Sequence, residues 1–289
     1  MATTRSKSSK GWLGLVLGLA AVFVFLVILV QVLGRLTLFL SGTGSLTVQD
    51  LPQSPAKLAA ELESIRFHTV AEWPAFKGRK FNQAPALSKL VQAGQLEPVA
   101  QRLPKNPLVI VPPDQTGPYG GTWTRFGISP GDVSQYRHRI AYESLLRWGP
   151  LGRRLLPNLA WRWSVEDQGR VFTFWLREGV RWSDGHPFSA DDILFWHQKV
   201  LLNKELTPGV GPDLKRGGAV VKVEKVDQNT VRFIFKEPHG LFLQLMAGET
   251  GYDLVSFPAH YLKQFHPDYT PKATLEKQAR QEGLDFWYK

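Results

Sequence analysis

Two adjacent carboxylates, Asp191 and Asp192, and seven histidines are the side chains of this 289-residue chain whose types first suggest catalysis or metal binding. Paired acids work as general acid and base when they face each other across a substrate. Here they are consecutive, follow Ser189 and precede the apolar run Ile193-Leu194-Phe195-Trp196. That pattern predicts the first turn of a helix with Ser189 as N-cap, where acids complement the positive helix end and adjacent side chains do not converge. The histidines at 68, 138, 186, 197, 239, 260 and 266 include no pair at the i, i+4 spacing that lets one helical face hold a metal. His260 and His266, near Asp268, fit a surface turn. The absence of cysteine excludes disulfides, thiolate zinc sites, cysteine nucleophiles, Fe–S clusters and a lipid-modified N-terminal cysteine. No G-x-S-x-G elbow, phosphate loop or G-x-G-x-x-G turn occurs. The residues therefore read as a binding protein and not an enzyme, with no catalytic residue, no metal ligand and no cofactor.

The elements that would hold such residues are legible in part. Trp161, Trp163 and Val165 alternate with polar residues, Asp167-Gln168-Gly169 makes a tight turn, and Phe172, Phe174 and Leu176 alternate again, predicting a β-hairpin with one buried face. After Trp182-Ser183-Asp184-Gly185, the Ser189-capped helix follows with Ile193, Trp196 and Val200 as its inward stripe. A second hairpin places Val221, Val223 and Val226 in or near its first strand, Gln228-Asn229 at the turn, and Val231, Phe233 and Phe235 in its second. Short helices are expected at 241–247 and 273–282, the latter stopped by Gly283. Upstream, residues 50–115 read as a proline-punctuated prelude with helices at Pro55–Phe67 and Pro85–Ala93 and a strand at 108–111. Ten tryptophans are an excess, five of them at 161, 163, 175, 182 and 196. Such residues form either a stacking surface for sugars or bases or a core, and their strand and helix spacing favours the core.

Gly11 to Val30 is a twenty-residue stretch with no charge, about 30 Å as a helix, which matches a bilayer's hydrocarbon core. Arg5, Lys7 and Lys10 precede it, so a membrane helix over 11–34 would leave the N-terminal tail in the cytoplasm and the remainder outside. The stretch exceeds the apolar core of a cleaved signal, and we read it as an uncleaved anchor; Ser41-Gly42-Thr43-Gly44-Ser45 is either a cleavage region or a linker. The net charge of +10 partly originates here, because Arg5, Lys7, Lys10 and Arg35 have no acid among residues 1–40. The excess over the other residues is mild and dispersed, which argues against a nucleic-acid partner.

Three ordered segments carry a family likeness: Ile140-Ala141-Tyr142-Glu143-Ser144-Leu145-Leu146-Arg147, then Leu156-Pro157-Asn158-Leu159-Ala160-Trp161-Arg162-Trp163, then Gly169 through Arg181-Trp182-Ser183-Asp184-Gly185-His186-Pro187-Phe188-Ser189-Ala190-Asp191-Asp192. Together they closely resemble the signature of the family 5 extracellular solute-binding proteins, the peptide and oligopeptide receptors of ABC importers. Tyr119-Gly120-Gly121-Thr122-Trp123 looks like that family's first strand, and Phe257-Pro258-Ala259-His260-Tyr261-Leu262 fits downstream. The likeness runs from about Asn82 to the C-terminus. It implies an α/β, mixed α+β, periplasmic-binding-protein type II-like lobe with a small accessory domain, preceded here by one N-terminal transmembrane helix. The expected organisation is a cytoplasmic tail at 1–10, the membrane helix at 11–34, a linker and prelude at 35–115, and the first part of the solute-binding domain at 116–289.

Such receptors are two-lobed, close on a solute in the crevice, and are read by an ABC permease with its ATPase subunits. The implied partners are a peptide or other small solute, that permease and the membrane; some relatives take nickel complexes, haem or sugars. Family members are longer, so the chain is expected to lack the second lobe. A membrane-anchored sensor or interaction module, or a non-functional fragment reusing the lobe, are the alternatives. The loop Gly127–Tyr136 corresponds to the family segment that approaches ligand backbone, making Asp132, Ser134 and Tyr136 the expected ligand contacts. Asp132 would meet a peptide amino group, although a solvated loop acid beside Gly131 reads equally well. The signature from Phe172 to Asp192 is assigned to folding.

Overall fold

The computed structural model describes residues 66–134 and 143–289, and within these Phe67–Lys289 cluster as one unit. The expected membrane helix at 11–34 and nearly all of the expected helix at 55–67 lie outside the described residues. No helix among the described residues is long and apolar enough to cross a membrane.

A four-stranded antiparallel sheet in the order β5-β6-β10-β9 organises this unit: β5 is Ala160–Glu166, β6 Val171–Leu176, β9 Lys222–Asp227 and β10 Thr230–Ile234. Strand alternation sends successive side chains to opposite faces. Phe174 pairs with Val231 and with Trp163, and Phe172 with Phe233, so the large apolar residues share one face. Thr173 and Trp175 point to the other, beside Arg232 and Arg162. The loop between β5 and β6 holds Asp167, Gln168 and Gly169 all at positive φ, which reverses the chain within three residues.

Two β-bulges alter the pattern expected from alternation. Between β9 and β10 the pairing moves from Thr230↔Asp227 to Val231↔Lys225, leaving Val226 as the extra residue and half exposed. Between β5 and β6 it moves from Ala160↔Leu176 to Arg162↔Trp175, leaving Trp161 unopposed and 46% exposed. The tryptophans therefore do not all fill the core. Trp196 is buried, and Trp163 and Trp182 pack against the core, whereas Trp161 is exposed and Trp175 takes the opposite sheet face.

The apolar sheet face is covered by α3 (Ala190–Phe195), which continues as one π-type turn through Leu201, and by α4 (Phe242–Leu245). Ile193 and Trp196 are buried and Val200 packs against the same core, giving the predicted stripe. Ser189 caps α3: its Oγ accepts from the Asp191 N–H at 3.2 Å, while Asp192 Oδ2 accepts from the Ser189 N–H at 2.9 Å. Asp192, buried, also accepts from the Ala259 N–H at 2.9 Å, which fixes α6 (Ala259–Leu262) to α3. Replacing Asp192 with alanine removes the reciprocal cap and strands a buried N–H, so we expect a loss of about 3 kcal/mol in urea unfolding. A loss below about 1 kcal/mol would reduce Asp192 to an ordinary surface cap.

The described part of the segment before residue 116 contains its own strand pair. β1 (Thr69–Glu72) pairs antiparallel with β2 (Leu108–Val111), the predicted strand. Between them lie α1 (Pro85–Gln92), which ends at Gly94 with φ +68, and α2 (Val99–Arg102). Arg177, at the end of β6, reaches back to this pair: its guanidinium donates to Glu72 Oε1 at 2.8 Å and to Glu72 Oε2 at 2.5 Å. The Lys105 N–H donates to the Glu178 carbonyl at 3.0 Å beside it. The Arg177–Glu72 bonds join residues 105 apart in the chain.

The remaining elements are attached by backbone bonds. β3 (Leu146–Trp148) and β4 (Leu155–Pro157) form a small hairpin, tied through the Leu146 N–H to the Met246 carbonyl and through the Ala160 N–H to the Leu145 carbonyl. β7 (Lys215–Arg216) and β8 (Ala219–Val220) form another. α5 (Glu249–Asp253) and α7 (Lys272–Gln281) complete the fold, the last stopped by Gly283 at φ +75 as expected.

Candidate functional site

The loop expected to approach a ligand is open to solvent. Gly120 and Gly121, both at positive φ and with open space where a Cβ would stand, turn the chain into a stretch without strand pairing. The expected first strand at 119–123 is thus irregular, because no strand among the described residues lies alongside to take its backbone groups. Trp123, with Arg125 stacked 5.0 Å from its ring centre, is 70% exposed, and Phe126 and Ile128 are fully exposed.

Asp132 and Ser134 fall together on one turn that follows. Asp132 Oδ2 accepts from the N–H of Ile128 at 2.6 Å and of Ser129 at 3.1 Å, and the Ser134 hydroxyl donates to the Gly131 carbonyl at 2.8 Å. One carboxylate oxygen thus holds the loop in shape. The other, Oδ1, makes no hydrogen bond among the described residues. Tyr136 lies outside the described residues.

The carboxylate pair that suggested acid–base chemistry is dispersed. Asp191 points outward to Lys225 Nζ at 2.7 Å, and Asp192 is committed to the two N–H groups above. The buried histidines are occupied with structure. His197 Nε2 bonds the Val221 carbonyl at 2.8 Å and His239 Nε2 the Asp213 carbonyl at 2.9 Å; burial holds both rings below the usual imidazole pKa, favouring the neutral form. His266 Nε2 bonds the Lys199 carbonyl at 3.0 Å. His186 and His260 stack with ring centres 3.8 Å apart, and His260 Nε2 meets Asp184 Oδ2 at 2.6 Å. That bond lowers the pKa of the Asp184 carboxyl. Among the described residues no three metal-ligating side chains converge.

A second grouping is one that sequence reasoning misses. Glu72, Asn106 and Asn229 come together with Trp161, Trp175 and Arg177 around a concavity of about 450 Å³ on the side of the sheet turned from the core. The signal in the sequence is Trp175, which alternation sets on the polar face of β6; Trp161 alternates with Trp163, and the bulge that turns it out is hidden by the assumption of unbroken alternation.

Residues 154–277 match the family model of the bacterial extracellular solute-binding proteins, family 5 Middle. Among curated relatives, the periplasmic alpha-galactoside-binding protein of Rhizobium meliloti is 32% identical over 230 residues, covering 72% of this chain and 31% of that protein. The dipeptide-binding protein of Escherichia coli is 33% identical over 124 residues, covering 37% of this chain and 22% of its own length. Among solved structures, an oligopeptide-binding protein OppA superposes with a TM-score of 0.66 at 42% identity, over 75% of this chain and 33% of that one. The periplasmic binding protein MelB from Agrobacterium fabrum, solved with stachyose, superposes at 0.50 with 28% identity, over 70% of this chain and 33% of that one. The chain spans about a third or less of the length of the relatives it matches. Each of these four is named as a binding protein. The matched region contains the β5–β6 hairpin and the capped helix α3, whose residues carry most of the signature, together with the second hairpin, and on this ground the chain belongs to the bacterial extracellular solute-binding proteins, family 5.

Proposed function

We propose that this chain is part of the substrate-binding component of an ABC importer. It binds a peptide or a related small solute outside the cytoplasmic membrane and delivers it to a permease and its ATPase subunits. The observation that carries this reading is the match over 154–277, supported by relatives named for peptide and for galactoside binding. The protein is held at the membrane by the apolar stretch Gly11–Val30, with Arg5, Lys7 and Lys10 on the cytoplasmic side.

The solute is met by the exposed turn that carries Asp132 and Ser134, with Tyr136 following. A carboxylate whose Oδ2 is fixed by two N–H groups presents Oδ1 at low conformational cost, suited to a peptide's terminal ammonium. The neighbouring exposed Trp123 and Phe126 supply apolar surface to a bound chain.

Thermal unfolding with short peptides tests this. A ligand present at a hundred times its Kd stabilises by about 2.7 kcal/mol, which raises the Tm of a domain of this size by roughly 5–10 °C. Asp132→Asn is expected to lessen the shift for peptides with a free amino terminus and to leave N-acetylated ones unchanged. Absence of a shift with every peptide and oligosaccharide at millimolar concentration would overturn the binding role. An unaltered response of Asp132→Asn would remove only the assignment of the ammonium contact.

A further inference from the structure

The concavity on the polar face of the sheet has the composition of a carbohydrate site. The bulge in β5 turns Trp161 out of the ladder, and among the described residues its ring stacks on nothing and its indole N–H meets no acceptor. Trp175 lies across the pair on β6, steadied by Arg162 at 4.4 Å from its ring centre. These two rings form the apolar wall of the cavity of about 450 Å³, a size ordinary for a small-ligand site.

The polar groups opposite are planar and open. The Asn229 side chain is half-buried, lines the cavity and makes no hydrogen bond among the described residues, although its main chain is fully engaged by Leu176 and Asp227. Asn106 likewise offers a side-chain amide while its carbonyl is held by Arg177 at 2.7 Å. The Glu72 carboxylate accepts one bond per oxygen from Arg177 and retains lone pairs on both, with its side chain 38% exposed. Two indole N–H donors, two amides and a clamped carboxylate suit a ligand that both donates and accepts repeatedly.

Charge decides against an ionic ligand. Arg177 is neutralised by Glu72, and Lys105 at the rim by Glu178 at 2.5 Å, so each charged side chain lining the cavity has its counter-charge among the described residues. A peptide terminus, phosphate or carboxylate would enter without a counter-charge, whereas a neutral ring with an apolar face and equatorial hydroxyls finds a partner for each side. The geometry points to a neutral-saccharide site at Trp161 and Trp175, separate from the Asp132 loop and independent of the solute bound there.

Saturation-transfer NMR on the full chain with maltotriose, cellotriose and raffinose tests it, with adenosine and dialanine as competitors of other chemistry. At least one saccharide is expected to bind with a millimolar Kd. Trp161→Ala should weaken it about tenfold, the loss of one stacked ring, while Trp161→Phe keeps most of the affinity. Asn229→Ala should weaken binding by a smaller factor. Trp161 is a surface residue, so an unchanged melting curve will accompany its substitution. The proposal is overturned if no saccharide binds, if Trp161→Ala binds as the parent does, or if adenosine or dialanine takes the place in a Trp161-dependent manner.

Discussion

Phe242→Ala is expected to destabilise the protein by about 4 kcal/mol, lowering Tm by roughly 10 °C, because a large ring leaves a core that cannot close over the gap. Phe242 is wholly buried, and four phenylalanines surround it: Phe172 and Phe235 each at 4.8 Å between ring centres, Phe233 at 5.2 Å and Phe174 at 6.3 Å. Three of the four contacts are steeply tilted or edge-on, the arrangement that adds to plain area burial. The helix that carries Phe242 is a single turn and has no stability of its own. What holds it is this ring, so the substitution should also loosen 242–247, where the Met246 carbonyl accepts from Leu146 N–H. Phe242→Leu, which preserves more volume, is expected to cost less than half as much. Urea unfolding measures both; a loss under about 1.5 kcal/mol for the alanine variant would mean that the core repacks.

How far the sequence reveals this fold follows from how local each determinant is. Phe172, Phe174 and Leu176 alternate without interruption, and β6 has the predicted extent because it is an inner strand with both neighbours in place. Ser189 and Asp192 are three residues apart, so their capping is visible in the sequence itself. Trp161 and Val226 escape a reading by alternation for one shared reason: each is the extra residue of a bulge, and a bulge depends on the partner strand, which a single stretch of sequence does not display. Tyr119–Trp123 has strand composition but no pairing among the described residues, and composition alone does not make a strand. At the expected site, the spacing of Asp132 and Ser134 is that of one turn, which the structure has; that Oδ2 is occupied by main-chain donors is a matter of tertiary geometry. The second concavity is beyond the reach of sequence, since Glu72 and Trp175 meet only once β1 is docked on the sheet.

That docking depends on Arg177, and a double-substitution cycle should show by how much. The side chain is 4% exposed, while that of its partner Glu72 is 38% exposed. Besides the bidentate pair, Nε donates to the Asn158 carbonyl at 2.5 Å and Nη1 to that of Asn106 at 2.7 Å. Arg177→Met leaves two carbonyls without their donor and Glu72 without its cation, although water can reach the carboxylate. We expect a loss of about 3 kcal/mol. Glu72→Met should cost a similar amount for the opposite reason: the guanidinium stays buried with two neutral acceptors and no counter-charge. Because each single variant already forfeits the ion pair, the double variant should fall short of their sum by about 2 kcal/mol. It will not return to the parent's stability, since the carbonyls of Asn158 and Asn106 remain unsatisfied in it. Strict additivity would show that the two side chains act independently and that β1 is held by its pairing with β2 alone. Hydrogen exchange supplies the spatial readout: the amides of Thr69–Glu72 should lose protection in either single variant, while those of β6 and β10, inside the sheet, keep theirs.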